Sequence, residues 1–471
     1  MRHAITLTLG TLFIAESAFA LTIEEYKKQV SSTHTGYQAA QAQLEAATAR
    51  KEKGDLVLSP QLTLEASQLS DQKPNQQNGA EQTDLTTYSA TLAKPFSTGT
   101  KAAVSAVTIG QDLDLAGGAK RESGTGTLGV SISQSLWKDG FGAATRLREK
   151  RESKTERLEK AQAYLTLGQA QIDSESAFWD YYLAQEDNKI RKNSLERSEK
   201  LLSWMKKRVN QGLAEYNDLL QVQALNASRE LQMMQSNDQL EAAQNKFASY
   251  LAIAPGKVPD LEYKDRPLRI DDYPATLDSN GKLLRIDSFL QAMDASIKAT
   301  VADEVRENLK PDLTLSGSYA TNSLENSQSQ AGAKITDQDN PTTKVALTFS
   351  MPLDFGAMSE AKRAAQLDAD SSRYKAVRSL ADAQLSWEQL DREFKELTKK
   401  IEIAKRINEI QREKSNNERV RLERGRTTTF QVVNFEQEAD EANLNYLLLK
   451  VNREKMALQA RLFLRAETDL N

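Results

Sequence analysis

Cysteine is absent from the 471 residues, histidine occurs only twice, and beyond residue 20 no uncharged apolar run reaches about 18 residues. Each absence excludes something. Without cysteine there are no disulfides, no thiolate metal ligands and no residue to carry a lipoprotein anchor, a composition that suits an exported chain. Beyond residue 20 only His34 remains, so histidine-based metal sites and nucleophile–base pairs are excluded too. Mean hydropathy is −0.59 and no segment can serve as a transmembrane helix, so entry into a membrane would have to be by strands. The net charge of −4 comes with no basic stripe of the kind nucleic acid requires.

The first twenty residues stand apart. Arg2 and His3 precede an apolar run from Ala4 to Ala15, and Ala18-Phe19-Ala20 follows, the small-x-small pattern at which signal peptides are cut. Residues 1–20 therefore read as a signal peptide, and the mature chain as starting at Leu21.

What the chain has in abundance is Gln, Glu, Ala, Lys, Arg and Leu, spread over stretches too long for ordinary globular helices. It also repeats one plan twice. Pro60-Gln61-Leu62-Thr63-Leu64 opens a strand region in the first half, and Pro311-Asp312-Leu313-Thr314-Leu315 opens one in the second. Helix resumes at Gly142 and Gly356 and breaks again at Gly212 and Gly425. The first interval is 212 − 142 = 70 residues and the second 425 − 356 = 69, so the helical parts match almost residue for residue.

At 1.5 Å per residue each interval is a rod of roughly 100 Å, which persists only by packing on its neighbours. Leu158, Leu165, Ile172 and Trp179 recur every seven residues, while Phe394, Leu397, Ile401 and Ala404 follow three-four-three spacing, both coiled-coil seams. Trp179, Trp204 and Trp387 read as seam residues, and mixed-sign runs such as 146–160 as solvated faces.

These patterns divide the chain into a first repeat over 21–253, a proline-rich linker over 254–280 and a second repeat over 281–471. The first holds a helix at 22–55, strands within 60–136 and a helical hairpin at 142–251 with its tip near Gly212. The second holds a helix at 281–310, strands within 311–351 and a helical hairpin at 356–466 with its tip near Gly425.

The strand regions alternate: Leu62, Leu64 and Ala66 against Thr63, Glu65 and Ser67, and Val345, Leu347 and Phe349 against Lys344, Ala346 and Thr348. Apolar-out and polar-in alternation suits a water-filled barrel in lipid, although a half-buried soluble sheet alternates in the same way. Long polar loops at 70–84 and 322–342, with Trp137, Phe141, Phe349 and Phe355 at the strand-to-helix ends, favour the barrel. The first strand region is 37 residues longer than the second, which predicts an added hairpin at 86–111 with its turn at 96–100. A protomer then offers six strands, or four if the addition stays outside the barrel. Neither reaches eight, so several chains would close one barrel.

Gly124-Thr-Gly126-Thr-Leu-Gly129 matches a dinucleotide-binding spacing, but it is followed by a strand-like alternation instead of a helix start. No carboxylate pair stands out, no cofactor is expected, and the chain does not read as an enzyme.

The twofold plan, the strand-to-helix passages at 133–137 and 349–353 and the glycine-centred tips together resemble the outer-membrane efflux protein family, of which TolC is the type. The resemblance implies a mixed fold: one outer-membrane β-barrel closed by strands from three protomers, continued as a long α-helical periplasmic tube. It implies a homotrimeric exit duct for efflux or type I secretion. The duct is passive, contacts outer-membrane lipid, and is opened at its helical tips by a periplasmic adaptor and a proton-driven (RND) or ATP-driven (ABC) inner-membrane pump. By position, Arg208, Gly212, Leu213, Gly425 and Thr427 would be adaptor contacts, and Asp218 with Arg426 a link holding the closed state. Where the family places two aperture aspartates this chain has Gln431 and Asn434, with Glu436 and Glu438 nearby. A trimeric adhesive or structural coiled coil on the cell surface is the alternative, though it leaves the duplication unexplained.

Cleavage after Ala20 predicts that the intact mass of membrane-extracted protein corresponds to a chain beginning at Leu21 without lipid. Retention of Met1, or an added acyl mass, would refute it.

Overall fold

The computed structural model describes residues 21–73, 80–115, 118–261, 285–337 and 340–463. The expected signal peptide and, from residue 262 on, the expected linker lie outside them.

Two short helices, α1 (Ile23–Thr33) and α2 (Thr35–Asp55), lead to strands β1 (Gln61–Asp71), β2 (Ala80–Pro95), β3 (Thr100–Leu115) and β4 (Lys120–Ser135). The helical hairpin α3 (Ala143–Asn210) and α4 (Tyr216–Leu251) follows. Then come α5 (Ile286–Asn308), β5 (Asp312–Glu325), a short α6 (Gln328–Ala333), β6 (Thr342–Ser350) and a second hairpin, α7 (Phe355–Glu423) and α8 (Thr429–Gln459). The six strands form one antiparallel sheet in the order β1-β2-β3-β4-β5-β6. Among the described residues, no helix is long and apolar enough to cross a membrane.

The sheet carries its alternation across every strand. Leu62 faces Leu92, Leu92 faces Val104, Val104 faces Val130 and Val130 faces Tyr319, all exposed on one face of the sheet. Thr63, Thr91, Ser105 and Gly129 occupy the next row, on the other face.

The rods pack in a row. α3 lies between α4 and α8, and α8 lies between α3 and α7, while α2 and α5 flank the strand-proximal half of α3. Where α1 crosses the first hairpin the side chains are large: Tyr26, Phe178, Trp179, Tyr181, Phe247 and Leu251 form the main core. Tyr26 stacks on Phe247 with ring centroids 4.6 Å apart, and its hydroxyl donates to the Ser174 carbonyl at 3.0 Å. Burial pushes that phenol well above its ordinary pKa range. Arg461 clasps the buried Glu175 beside it. The two seams read from sequence are here too, with Ile172 and Trp179 in this core and Phe394, Leu397, Ile401 and Ala404 buried along α7.

Several boundaries differ from the sequence reading. The helix expected over 22–55 breaks at His34, which adopts an extended conformation (φ −75°, ψ 119°) and lays its ring on Tyr250, 5.0 Å away. Gly36 makes room, since a Cβ there would lie 2.8 Å from the imidazole. The added hairpin is longer than 86–111, because both strands run sixteen residues. α3 starts at Ala143 after Gly142 in a left-handed conformation, and α7 at Phe355, where the Asp354 carboxylate accepts from the Ala357 amide at 2.9 Å. The helix expected from 281, a position outside the described residues, is α5 from Ile286. The final hairpin, expected to reach 466, ends its helix at Gln459 and closes with a 3₁₀ turn.

The loop expected over 322–342 contains regular structure: β5 continues to Glu325, and α6 folds back over the sheet. Its backbone sits where side chains would stand on Gly124 and Gly126, whose Cβ positions lie 2.2 and 2.6 Å from the Ser327 and Ala331 carbonyl oxygens. Only glycine permits that approach.

Phe247 is fully buried at the centre of the aromatic cluster. Phe247→Ala should cost about 3–5 kcal/mol and lower the temperature at which helical circular dichroism is lost.

Candidate gate at the helical tips

α3 and α7 differ by one residue in length and start one short passage after β4 and β6, so both hairpin turns lie at a similar distance from the sheet. The turns are built alike. At the first, Gly212 (φ +69°) lets its amide and that of Leu213 reach back to the Val209 and Arg208 carbonyls, at 2.9 and 2.8 Å. At the second, Gly425 (φ +68°) does the same, its amide and that of Arg426 reaching the Leu422 and Arg421 carbonyls at 2.9 Å each. This left-handed closure satisfies the last carbonyls of each rod. Arg208 donates to the Leu213 carbonyl at 3.2 Å and stacks on Trp204, and Arg421 donates to the Arg426 carbonyl at 3.4 Å.

The candidate residues distribute around these turns. Leu213 is 61% exposed. Asp218 lies in the first turn of α4, where the helix dipole favours a carboxylate. Thr427 donates to the buried Glu418, which Arg421 pairs with at 3.0 Å, and the Thr428 hydroxyl caps α8 by accepting from the Gln431 amide at 3.4 Å. Arg426 is exposed in the turn, and no ion pair joins it to Asp218 within one protomer. Asn434 is half-buried on α8, and Glu438 pairs with Lys414 at 2.9 Å.

Glu436 is placed where the sequence gave no hint. It turns into the wall, held by Arg419 at 2.5 Å and by Arg197 of α3 at 3.6 Å. Arg197 also donates to both Asp440 oxygens, at 2.8 and 2.7 Å, and so ties the first hairpin to the second. Beside it the Ser198 hydroxyl donates to Asn226 at 2.9 Å, and the buried Arg229 donates to Gln232 at 2.9 Å. Burial lowers the Arg229 pKa against the opposing pull of Asp440. A cleft of about 340 Å³, lined by Asn193, Arg197, Arg412, Asn416, Arg419 and Asp440, opens alongside. Arg197, Arg229, Arg419 and Asp440 escaped the sequence reading. The available signal was the end of the apolar heptad: two steps beyond Trp179 the seven-residue line holds Glu186 and Asn193.

A six-stranded sheet is joined through two short passages to rods of 68 and 69 residues. The fold is the TolC-like one of solved outer-membrane channels. The chain superposes on the outer-membrane channel OprN with a TM-score of 0.67 at 17% identity, over 93% of this chain and 89% of that one. On the CmeC outer-membrane channel of Campylobacter jejuni the TM-score is 0.68 at 13% identity, over 98% and 92%. On the outer-membrane protein VceC of Vibrio cholerae it is 0.65 at 14%, over 93% and 94%. By sequence, no family model and no curated protein matches. The likeness is one of fold. Among the described residues, no group of three or more His, Asp or Glu is placed to hold a metal ion.

If Arg197 and Asp440 couple the two hairpins, Arg197→Ala and Asp440→Ala should each destabilise the tip half, and the double variant should fall short of their sum by about 1–3 kcal/mol. Faster amide exchange over 190–200 and 436–443 in each single variant is the accompanying signature, and additive losses would refute the coupling.

Proposed function

We propose that this chain is one protomer of a homotrimeric outer-membrane exit duct, a passive conduit serving a tripartite efflux or type I secretion system. The observation that carries this reading is that both layers of the protomer end at open edges on both sides. In the sheet these are β1 and β6, and in the helical row α4 and α7. Exposed apolar residues stud the outer helices, among them Leu231 and Met234 on α4 and Leu385, Ile403 and Ile410 on α7. Such a surface calls for a partner. Edges that differ on the two sides are closed by a head-to-tail ring of identical copies, and three copies give eighteen strands.

In this reading the apolar sheet face meets lipid, and residues 1–20 direct export to the outer membrane, with the rods extending through the periplasm of a Gram-negative cell. The chain acts without catalysis, cofactor or nucleic acid. Its partners are a periplasmic adaptor, which would engage Arg208, Gly212, Leu213, Gly425 and Thr427 at the tips, and an inner-membrane RND or ABC pump. Packing α4 of one protomer on α7 of the next brings Asp218 toward a neighbouring Arg426, so this gate pair forms between protomers. Gln431 and Asn434 line the aperture, and Glu436 acts through the Arg197 tie.

The duct reading predicts a trimer by native mass spectrometry and conducting pores in planar bilayers, whereas an adhesive stalk forms no pores. An exposed ion pair contributes about 0.5 kcal/mol, so three symmetric copies acting on one closed state amount to about 1.5 kcal/mol, roughly tenfold in the open population. Asp218→Ala with Arg426→Ala should therefore raise open probability by about that factor without moving thermal stability. An unchanged open probability would place the closure elsewhere.

A further inference from the structure

We propose that the segment 326–337, which contains α6, lies in the head-group layer of the outer leaflet and marks the height at which lipid tails stop touching the sheet. The inference rests on the duct reading above, in which the apolar sheet face meets lipid.

The segment lies on that same face. In steps of two from Val130 along β4 come Leu128, Gly126 and Gly124, and the last two are the glycines that α6 covers. Gly126 pairs with Thr108 on one side and Ser323 on the other. The Gln328 amide donates to the Thr86 and Thr108 carbonyls at 3.0 and 3.2 Å, and the Ser323 hydroxyl donates to the Ala331 carbonyl at 2.8 Å. The outward side is polar. Ser329, Gln330 and Lys334 are exposed, and Lys334 pairs with Glu325 at 2.5 Å. A surface of amides, hydroxyls and charge cannot stand in hydrocarbon.

The charges of the sheet begin at the same height. Among the described residues, the apolar face carries no charged side chain between Lys94, near the rods, and Glu325. One row beyond Glu325, Asp84, Asp112 and Glu122 stand side by side. Tyr88 is exposed in the row of Gly126, a position that suits an interfacial aromatic. Ile335 lines a shallow apolar notch with Leu64, Ala66, Tyr88 and Ala90. The segment thus sets one apolar foot on the band beside the charged Lys334, the division that a membrane interface favours. The height agrees as well. On β5 the uncharged stretch from Leu313 to Ser323 spans 323 − 313 = 10 steps, about 34 Å of strand. Tilted by about 40° in a barrel, it covers about 26 Å, and lipid-facing bands are about 25 Å tall.

The test is spin-label depth in vesicles of phosphatidylethanolamine and phosphatidylglycerol, and the absence of cysteine makes each label unique. Val104→Cys, Ser105→Cys and Ser329→Cys each carry one label. Collision rates with oxygen and with a water-soluble nickel chelate are calibrated on lipids labelled at the head group or along the tail. The label at 104 should read as tail, the one at 105 as water and the one at 329 as head group. A label at 329 that reads as water or as tail, with 104 still among the tails, would overturn the proposal and leave the duct reading intact. A label at 104 that reads as water would overturn both. Should Ser329→Cys fail to assemble, Gln330→Cys at the neighbouring exposed position is read in the same way.

Discussion

An edge strand cannot lie in hydrocarbon with its amides and carbonyls unpaired, because each such group costs several kcal/mol there. In the proposed duct, the open edges of this molecule follow from that constraint. Six strands with an apolar outer row would not close on themselves around water there, and other copies would supply partners to the open edges β1 and β6. The rods inherit the problem. They run in a single row one helix deep, and α4 and α7, the end members of its tip half, carry exposed apolar residues that a neighbour would cover.

A wall one helix thick with water on both sides has little room for a core. Many residues buried along the rods are accordingly small or polar, such as Ala161, Ala177, Ala383, Ser194 and Ser236, which let helices approach closely. Large side chains gather most densely at the knot around Tyr26, Phe178 and Phe247, where α1 crosses the hairpin and adds a second layer, with a smaller cluster around Leu390, Phe394 and Phe463. Leu21 adds a backbone tie there, its amide donating to the Asp260 carbonyl at 2.9 Å, so the segment that follows α4 is fastened to the start of the chain's described part beside this knot.

Periodic features were legible from sequence and singular ones were not. Strand alternation, heptads and left-handed glycine turns each follow from a local rule, and the strands, seams and tips appear close to where those rules put them. His34 breaks its helix for a ring contact with Tyr250, more than two hundred residues away, which no local pattern encodes. α6 depends on glycines of β4, a strand it meets only after folding. Arg197 is one of 62 basic residues, and nothing in its neighbours marks it as the one that reaches Asp440. Glu436 was noticed for its nearness to the tip, but its carboxylate turns into the wall because Arg197 and Arg419 wait there.

The middle of the rods and their tip-proximal part are held by different forces, and the difference bears on where the proposed duct can open. Separating the aromatic knot would expose apolar surface at roughly 25 cal/mol per Å², a cost that water does nothing to offset. Separating Arg197 from Asp440 exposes two charges that water solvates well, so most of what is lost in the contact is recovered in hydration. Rods held by hydrocarbon at mid-length and by Arg197 and Asp440 toward the tip therefore have a middle that stays shut and a tip-proximal part that can separate at modest cost. The point where the heptad of α3 turns from Trp179 to Glu186 and Asn193 is where the first kind of seam gives way to the second.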